Sequence, residues 1–355
     1  MLNLGEGGGV LELNERRKAI LSAIVKTHIA SGEPIGSKIL CEILENAPSS
    51  ATLRNEMSKL SDMGFLEQPH TSAGRIPTAL GYRLYIETLM HRDEINAEHK
   101  QYIDSALSPS NCDPEKLPSV AGKVLSDITG LPSLAANISL NGPAVKRVEL
   151  FRMGSRSAML VLITTDGRSR SRLVHMPTEL DTSLIASFDS LVRDRIIKKS
   201  IEALTPAMQQ NIYIGAGAGV LRLMPLVSAL FDMTTDIAEA NVSLSGQANL
   251  FSVGWQREEA DKILSLLHSK EMLMSILGRQ PSKLGVVFGR DTDYSILGPS
   301  SLVFAKYNMG SKNTGCIGVI GPTRMSYELI IPSIEYTAKR MDTLLSETLK
   351  DMEGN

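Results

Sequence analysis

The chain predicts a multidomain α+β protein, and three observations carry the prediction. From Asn14 to about Arg92 it reads as short helices broken by SGEP and NAPSS. From about Ile95 to Pro118 it turns polar and carries Pro109, Pro114 and Pro118, the composition of a linker. Beyond that, strand patterns stand before and after a mostly helical block, as in one α+β domain carrying an insertion. A length of 355 residues accommodates two or three such bodies.

The start, MLNLGEGGGV, lacks the basic and apolar regions of a secretory signal, and its glycines predict a mobile tail over residues 1–12. A first helix is expected over 16–30, with Ile20, Ile24 and His28 at helical spacing. Asn14 is placed to cap it by accepting from the first-turn N–H groups. Gly32 ends it because glycine takes a positive φ cheaply, and Pro34 prevents continuation. A second helix begins near Ser37 and includes Ile39, Leu40, Ile43 and Leu44. The third spans 49–64, where Leu53, Met57 and Leu60 form one apolar stripe. Phe65-Leu66-Glu67, the polar residues 68–75 and Ile76-Pro77-Thr78 then read as strand, wing and strand. That order is the layout of a winged helix-turn-helix, assigned to 13–92. GYRLYIETLM starts a helix leaving the wing, in which Tyr82 and Tyr85 are expected to pack in the core rather than stack on bases.

After the linker, 93–118, strands are expected at 145–151, 158–164 and 171–176, with a turn at Asp166-Gly167. Helices at 183–199 and 221–238 fill an inserted block, 178–240. A helix at 258–277, strands at 284–288, 301–307 and 316–320, and a final helix at 326–349 complete the chain. The α+β domain therefore falls in two parts, 119–177 and 241–350.

Composition excludes several function classes. Hydrophobic residues make up 43% and charged residues 21%, an ordinary globular balance. No apolar run reaches the roughly 18 residues of a spanning helix, so no membrane partner is expected. The three cysteines, Cys41, Cys112 and Cys316, lie far apart without CxxC spacing and read as reduced thiols of a cytoplasmic protein. The six histidines form no HxxxH or HExxH pair, so no metal is expected. Gly215-Ala216-Gly217-Ala218-Gly219 invites a phosphate-loop reading. It lacks the GKS or GKT of a P-loop, and Val220 breaks the G-x-G-x-x-G spacing, which favours a tight turn. No GxSxG elbow is present, so neither an enzyme nor a bound cofactor is expected. The net charge of −2 requires that any affinity for nucleic acid come from locally placed cations.

The third helix supplies them. Opposite its apolar stripe stand Ala51, Asn55, Ser58 and Asp62, flanked by Thr52, Arg54 and Lys59. Ser49 and Ser50 sit at its N-terminus, where backbone N–H groups and the helix dipole favour phosphate. Arginine bonds bidentately to guanine and asparagine to adenine, and a small alanine meets the thymine methyl. Serine and threonine hydroxyls fix position on the backbone. The plainer reading is a solvated face on a structural helix, and the surrounding winged-helix layout favours the groove-reading one. In the wing, Arg75 is placed to reach phosphates or a minor groove, or else is simply an exposed charge.

The blocks GEPIGSKIL, SSATLRNEM, GFLEQPHTSAGRIPT and GYRLYI, with GCIGVIGPTRMSY far downstream, resemble the HrcA family of heat-inducible transcription repressors. NIYIGAGAGVL sits where that family has a comparable strand-and-glycine segment. Two stretches depart from the pattern: GAGAG lacks expected polar residues, and Arg290-Asp291 stand where a glutamate is usual. The resemblance implies a winged-helix DNA-binding domain and a GAF-like domain with an inserted dimerising domain. It implies a homodimer on the CIRCE inverted-repeat operator of class I heat-shock operons such as groE and dnaK. It also implies that the GroEL/GroES chaperonin maintains the repressor's activity. Matched motif by motif, the implied DNA contacts are Ser49, Ser50, Thr52, Arg54, Asn55 and Lys59 in the helix, and His70, Thr71, Ser72, Gly74 and Arg75 in the wing. A different expectation remains open, a regulator whose GAF-like domain senses a small ligand. Arg324 would then meet an anion, the alternative being a turn that closes the sheet edge.

Overall fold

The computed structural model describes residues 13–45, 47–70, 73–91, 94–108, 116–137, 143–215, 222–239, 242–251, 255, 257–290, 297–309 and 314–353. The expected tail, Thr71 and Ser72 of the wing, residues 216–219 of GAGAG, and Asp291 lie outside the described residues. The chain divides into two compact units. One gathers Met1–Glu94, Val286–Ser301 and Gly321–Pro332, the other Ile95–Gly285, Leu302–Ile320 and Ser333–Asn355.

In the first unit, α1 (Glu15–Ser31), α2 (Ser37–Ile43) and α3 (Ser50–Asp62) precede an antiparallel ribbon of β1 (Leu66–Glu67) and β2 (Ile76–Pro77). The predicted caps of α1 are in place: the Asn14 side chain accepts from the Arg17 N–H at 3.0 Å. Gly32 closes the other end at φ 75°, its N–H bonded to the His28 carbonyl. Ile20, Leu21, Ile24, Leu40, Leu53 and Leu60 are buried together, as the helical spacing predicts. From the ribbon the chain enters α4 (Ala79–Leu84), whose last turn, Tyr85–Leu89, widens to π spacing. Tyr82 and Tyr85 are buried, as expected.

The rest of the chain forms two sheets. One has the strand order β7-β3-β10-β9-β8, formed by β3 (Ser133–Asn137), β7 (Val242–Ser245), β8 (Leu284–Phe288), β9 (Ser300–Asn308) and β10 (Thr314–Pro322). Its central strands β9 and β10 are buried along nearly their whole length, as strands covered on both faces are. The other sheet joins β4 (Val145–Arg152), β5 (Ser157–Thr164) and β6 (Ser169–His175) as an antiparallel meander. The Asp166-Gly167 turn lies between β5 and β6, with Gly167 at φ 83°.

Several expectations are corrected. The strands at 145–176 do not extend the sheet of the later strands. They form their own sheet, and Leu160 and Leu162 share a core with Phe188 of α7 (Thr182–Arg195) and with Leu226, Leu230 and Ile237 of the helix Met224–Glu239. The strands that flank this body in sequence are β3 and β7, both short and poor in aromatic residues, so they gave little strand signal. The expected linker contains α5 (Ala97–Ala106), capped by the Asn96 side chain on the Glu98 N–H, with Ile103 and Leu107 fully buried. Pro118 lies in the first turn of α6 (Leu117–Thr129), where a missing N–H breaks no helical bond. The helix expected at 258–277 is two, Arg257–His268 and Lys270–Leu277, because the Ser269 hydroxyl accepts from the Met272 N–H and starts a new helix. Asn211–Gly215, where the resemblance implied a strand-and-glycine segment, closes the helix α8 (Pro206–Gly215).

Candidate nucleic-acid interface

The apolar stripe of α3 turns inward: Leu53 and Leu60 are fully buried and Met57 nearly so. Helical geometry then leaves Ala51, Arg54, Asn55, Ser58, Lys59 and Asp62 exposed, and the seventh position assigned to or beside the outer face, Thr52, half-buried. Ser49 caps the helix, its Oγ accepting from the Thr52 N–H at 3.2 Å and lying 3.0 Å from the Thr52 hydroxyl. The Ser50 hydroxyl is 2.8 Å from that of Ser37 on α2, and Arg54 Nε donates to Ser37 Oγ at 3.2 Å. The hydroxyls proposed for phosphate thus also organise the α2–α3 turn, and Arg54 is steered by α2 while its outer guanidinium nitrogens extend beyond that bond.

Two positioning residues escaped sequence reasoning. Glu56 is buried, although charged, and accepts from Arg17 of α1 at 2.7 Å and from Lys59 at 3.2 Å. The Arg17 hydrogen bond holds its carboxyl below the usual glutamate range against the opposing effect of burial. Glu56 therefore ties α3 to α1 and also pairs with the Lys59 ammonium. Its signal was present, because Leu53, Glu56, Met57 and Leu60 fall at i, i+3, i+4 and i+7. The second is Ile35, which pairs with Arg75 through two backbone hydrogen bonds of 2.9 Å. This isolated bridge ties the base of the wing to the segment between α1 and α2.

Gly74 has a structural explanation. A Cβ there would lie 2.5 Å from the Ile35 carbonyl carbon and oxygen, so only glycine allows the wing to pass the α1–α2 turn. Arg75 is half-buried and His70 exposed, with the His70 carbonyl accepting from the Ala73 N–H to turn the wing. Gln68 spans the same turn by donating to the Ala73 carbonyl at 3.0 Å. The structure exposes Arg54, Asn55 and Lys59 on the outer side of α3, with Ser49 at the N-cap and Ser50 half-buried against α2, and sets His70, Gly74 and Arg75 between β1 and β2.

Arg324 lies in the first unit, its guanidinium within 3.4 Å of where a Gly32 Cβ would stand, at the C-terminal end of α1. A cation there complements the negative pole of the helix dipole. Among the described residues no group of three or more His, Cys, Asp or Glu is arranged to hold a metal. No described helix is long and apolar enough to cross a membrane.

A three-helix head with an antiparallel ribbon and a polar, cationic third-helix face is the architecture of a transcription regulator. The chain belongs to the HrcA family: the HrcA protein C terminal domain matches residues 115–331, more than half its length. The heat-inducible transcription repressor HrcA of Clostridioides difficile is 31% identical over 92% of this chain and 98% of its own. The protein of the same name from Caldanaerobacter subterraneus subsp. tengcongensis is 29% identical over 96% and 99%. A crystal structure described as a hypothetical protein at 2.2 Å resolution shares the fold, with a TM-score of 0.68 and 23% identity over 95% of this chain and all of that one.

Proposed function

We propose that the chain represses class I heat-shock operons such as groE and dnaK by binding the CIRCE inverted repeat as a homodimer, with α3 as the recognition helix of a winged-helix head. The observation that carries the reading is the α3 face, where Arg54, Asn55 and Lys59 stand exposed together while the opposite stripe is buried. In this reading Arg54 and Asn55 read base edges. Lys59, Ser49, Ser50 and Thr52 fix the helix on phosphates, and His70, Thr71, Ser72 and Arg75 engage the flanking backbone or minor groove. With a formal net charge of −2, binding rests on these few cations rather than on a general positive field.

Homodimerisation is supported by the outer face of the β4–β6 sheet. There Phe151, Met159 and Leu173 align across the three strands, with Phe151 53% and Leu173 63% exposed. An apolar row of this kind, continued along β5 by Val161 and Ile163, fits a two-fold, self-complementary contact. The five-stranded sheet is assigned to the GAF-like domain, and the chaperonin is assigned as the partner that maintains repressor activity. A gel shift on a CIRCE-type inverted repeat against scrambled DNA, with and without chaperonin, tests the reading. Selective retardation that strengthens with chaperonin is expected, and equal binding to both DNAs would refute it.

A further inference from the structure

Ser37 opens α2 and is buried, with 6% of its surface exposed. Its Oγ accepts from Arg54 Nε at 3.2 Å and lies 2.8 Å from Ser50 Oγ. The same corner is closed by Cys41 of α2, whose thiol donates to the Pro48 carbonyl at 3.8 Å. Arg54, Ser37 and Ser50 thus form one polar chain across the α2–α3 turn, with the buried hydroxyl in its middle and the exposed guanidinium at one end.

Donor count fixes the direction of these bonds. A hydroxyl carries one hydrogen and two lone pairs. The Arg54 Nε–H occupies one lone pair of Ser37, and Ser37's own hydrogen, being buried, needs an acceptor. Among the described residues the Ser50 oxygen is the acceptor within reach, so Ser37 donates to Ser50. The Ser50 hydrogen is then released from the corner, and Ser50 is only half-buried. Each donor in such a chain polarises the next, and this one begins at a cation, so the Ser50 hydroxyl is a strengthened donor suited to a phosphate oxygen. At the other end the same bond removes a choice. Arginine meets guanine O6 and N7 side-on, through Nε and one terminal nitrogen, or end-on, through both terminal nitrogens. With Nε held by Ser37, the end-on approach remains.

We propose that Ser37 is a positioning residue of the recognition helix, which commits Arg54 to end-on reading of a guanine and leaves the Ser50 hydroxyl to donate to a phosphate of the same half-site. Base reading and backbone anchoring are thereby set in one register. This rests on the reading of α3 as the recognition helix of an operator-binding head.

The test titrates the full-length protein with the inverted-repeat operator and with duplexes in which each G·C pair of the half-sites is replaced in turn by A·T. Wild-type protein should lose about tenfold or more at one guanine, and Arg54→Ala should abolish that preference. Ser37→Ala should cut it to within about threefold, with the salt dependence of operator binding unchanged because no cation is removed. In the Arg54→Ala background, Ser37→Ala should have no further effect on base preference, a non-additivity that a merely structural role would not produce. Ser50→Ala should instead weaken binding to every duplex alike, by about two- to tenfold. Should Ser37→Ala fail to fold, Ser37→Cys, close in size but a weak acceptor, carries the same expectation. An Arg54-dependent guanine preference left unchanged by a folded Ser37 variant would overturn the positioning role alone, and full affinity in Ser50→Ala would overturn the anchoring arm. Wild-type protein that prefers no inverted repeat, or whose preference is indifferent to Arg54, would overturn the recognition-helix reading and the proposal with it.

Discussion

At the scale of single residues, the proposed recognition helix divides into exposed side chains and supporting ones. Arg54 is exposed yet held by Ser37 through Nε, so its remaining donors are pre-aimed rather than free to sweep. Arg54→Ala should cost roughly 1–3 kcal/mol on the operator and relax sequence preference, whereas uniform weakening on every DNA would assign the side chain to phosphate. Competition titrations with operator and scrambled duplex at fixed salt distinguish the two. Gly74 belongs to support. Gly74→Ala forces a Cβ to 2.5 Å from the Ile35 backbone, an overpacking that should destabilise the head by about 1–3 kcal/mol. Thermal melting checks this, and an unchanged Tm would show that the wing shifts without strain. The caps at Asn14 and Gly32 were legible in the sequence because capping is local chemistry, decided within one turn. The partners of Gly74 were not, since nothing near it in sequence announces that Ile35 passes so close.

At the scale of elements, what holds α3 against α1 is an ion pair on a largely apolar seam. Glu56 stands within the stripe of Leu53, Met57 and Leu60, and Arg17 reaches it at 2.7 Å. The periodicity of Leu53, Met57 and Leu60 extends to position 56, but whether a carboxylate there is buried depends on a partner from another helix, which no local pattern announces. The carboxyl is held below its ordinary pKa, so its contribution to stability is fully present above the unfolded value. That contribution is lost as pH falls through the lowered folded one. Glu56→Gln should therefore lower the Tm of the head at neutral pH, and the gap to wild type should close only as pH falls below the ordinary glutamate range. A gap independent of pH would mean that packing, not the charge, sustains the contact. The same limit explains the strands. The alternation in β4, β5 and β6 was readable, yet which sheet they join is decided by the cluster around Phe188 and Leu230, formed by residues far along the chain.

At the scale of the whole molecule, the proposed homodimer needs a contact between copies, and the β4–β6 meander is a candidate face for it. Its inner residues, Leu160 and Leu162, are fully buried, while Phe151, Met159 and Leu173 form an apolar row on the opposite face. Met153, 63% exposed, lies just past the end of β4. Strand alternation fixes this division: residues opposite one another across a sheet share a face, so the register that buries Leu160 must expose Met159. Alternation was visible in the sequence, but only the pairing Phe151–Met159–Leu173 turns scattered apolar residues into one row. A Leu173→Glu substitution places a charge at an exposed position, so it should leave the fold intact. If two copies bury that row against its symmetry mate, the two introduced carboxylates meet near the axis and must be desolvated together. Sedimentation should then show monomers where wild-type protein sediments as a dimer. Operator affinity should fall by about 100-fold or more as bivalent binding is lost, while binding to a single half-site stays unchanged. A variant that remains dimeric would move the contact to another face of the chain.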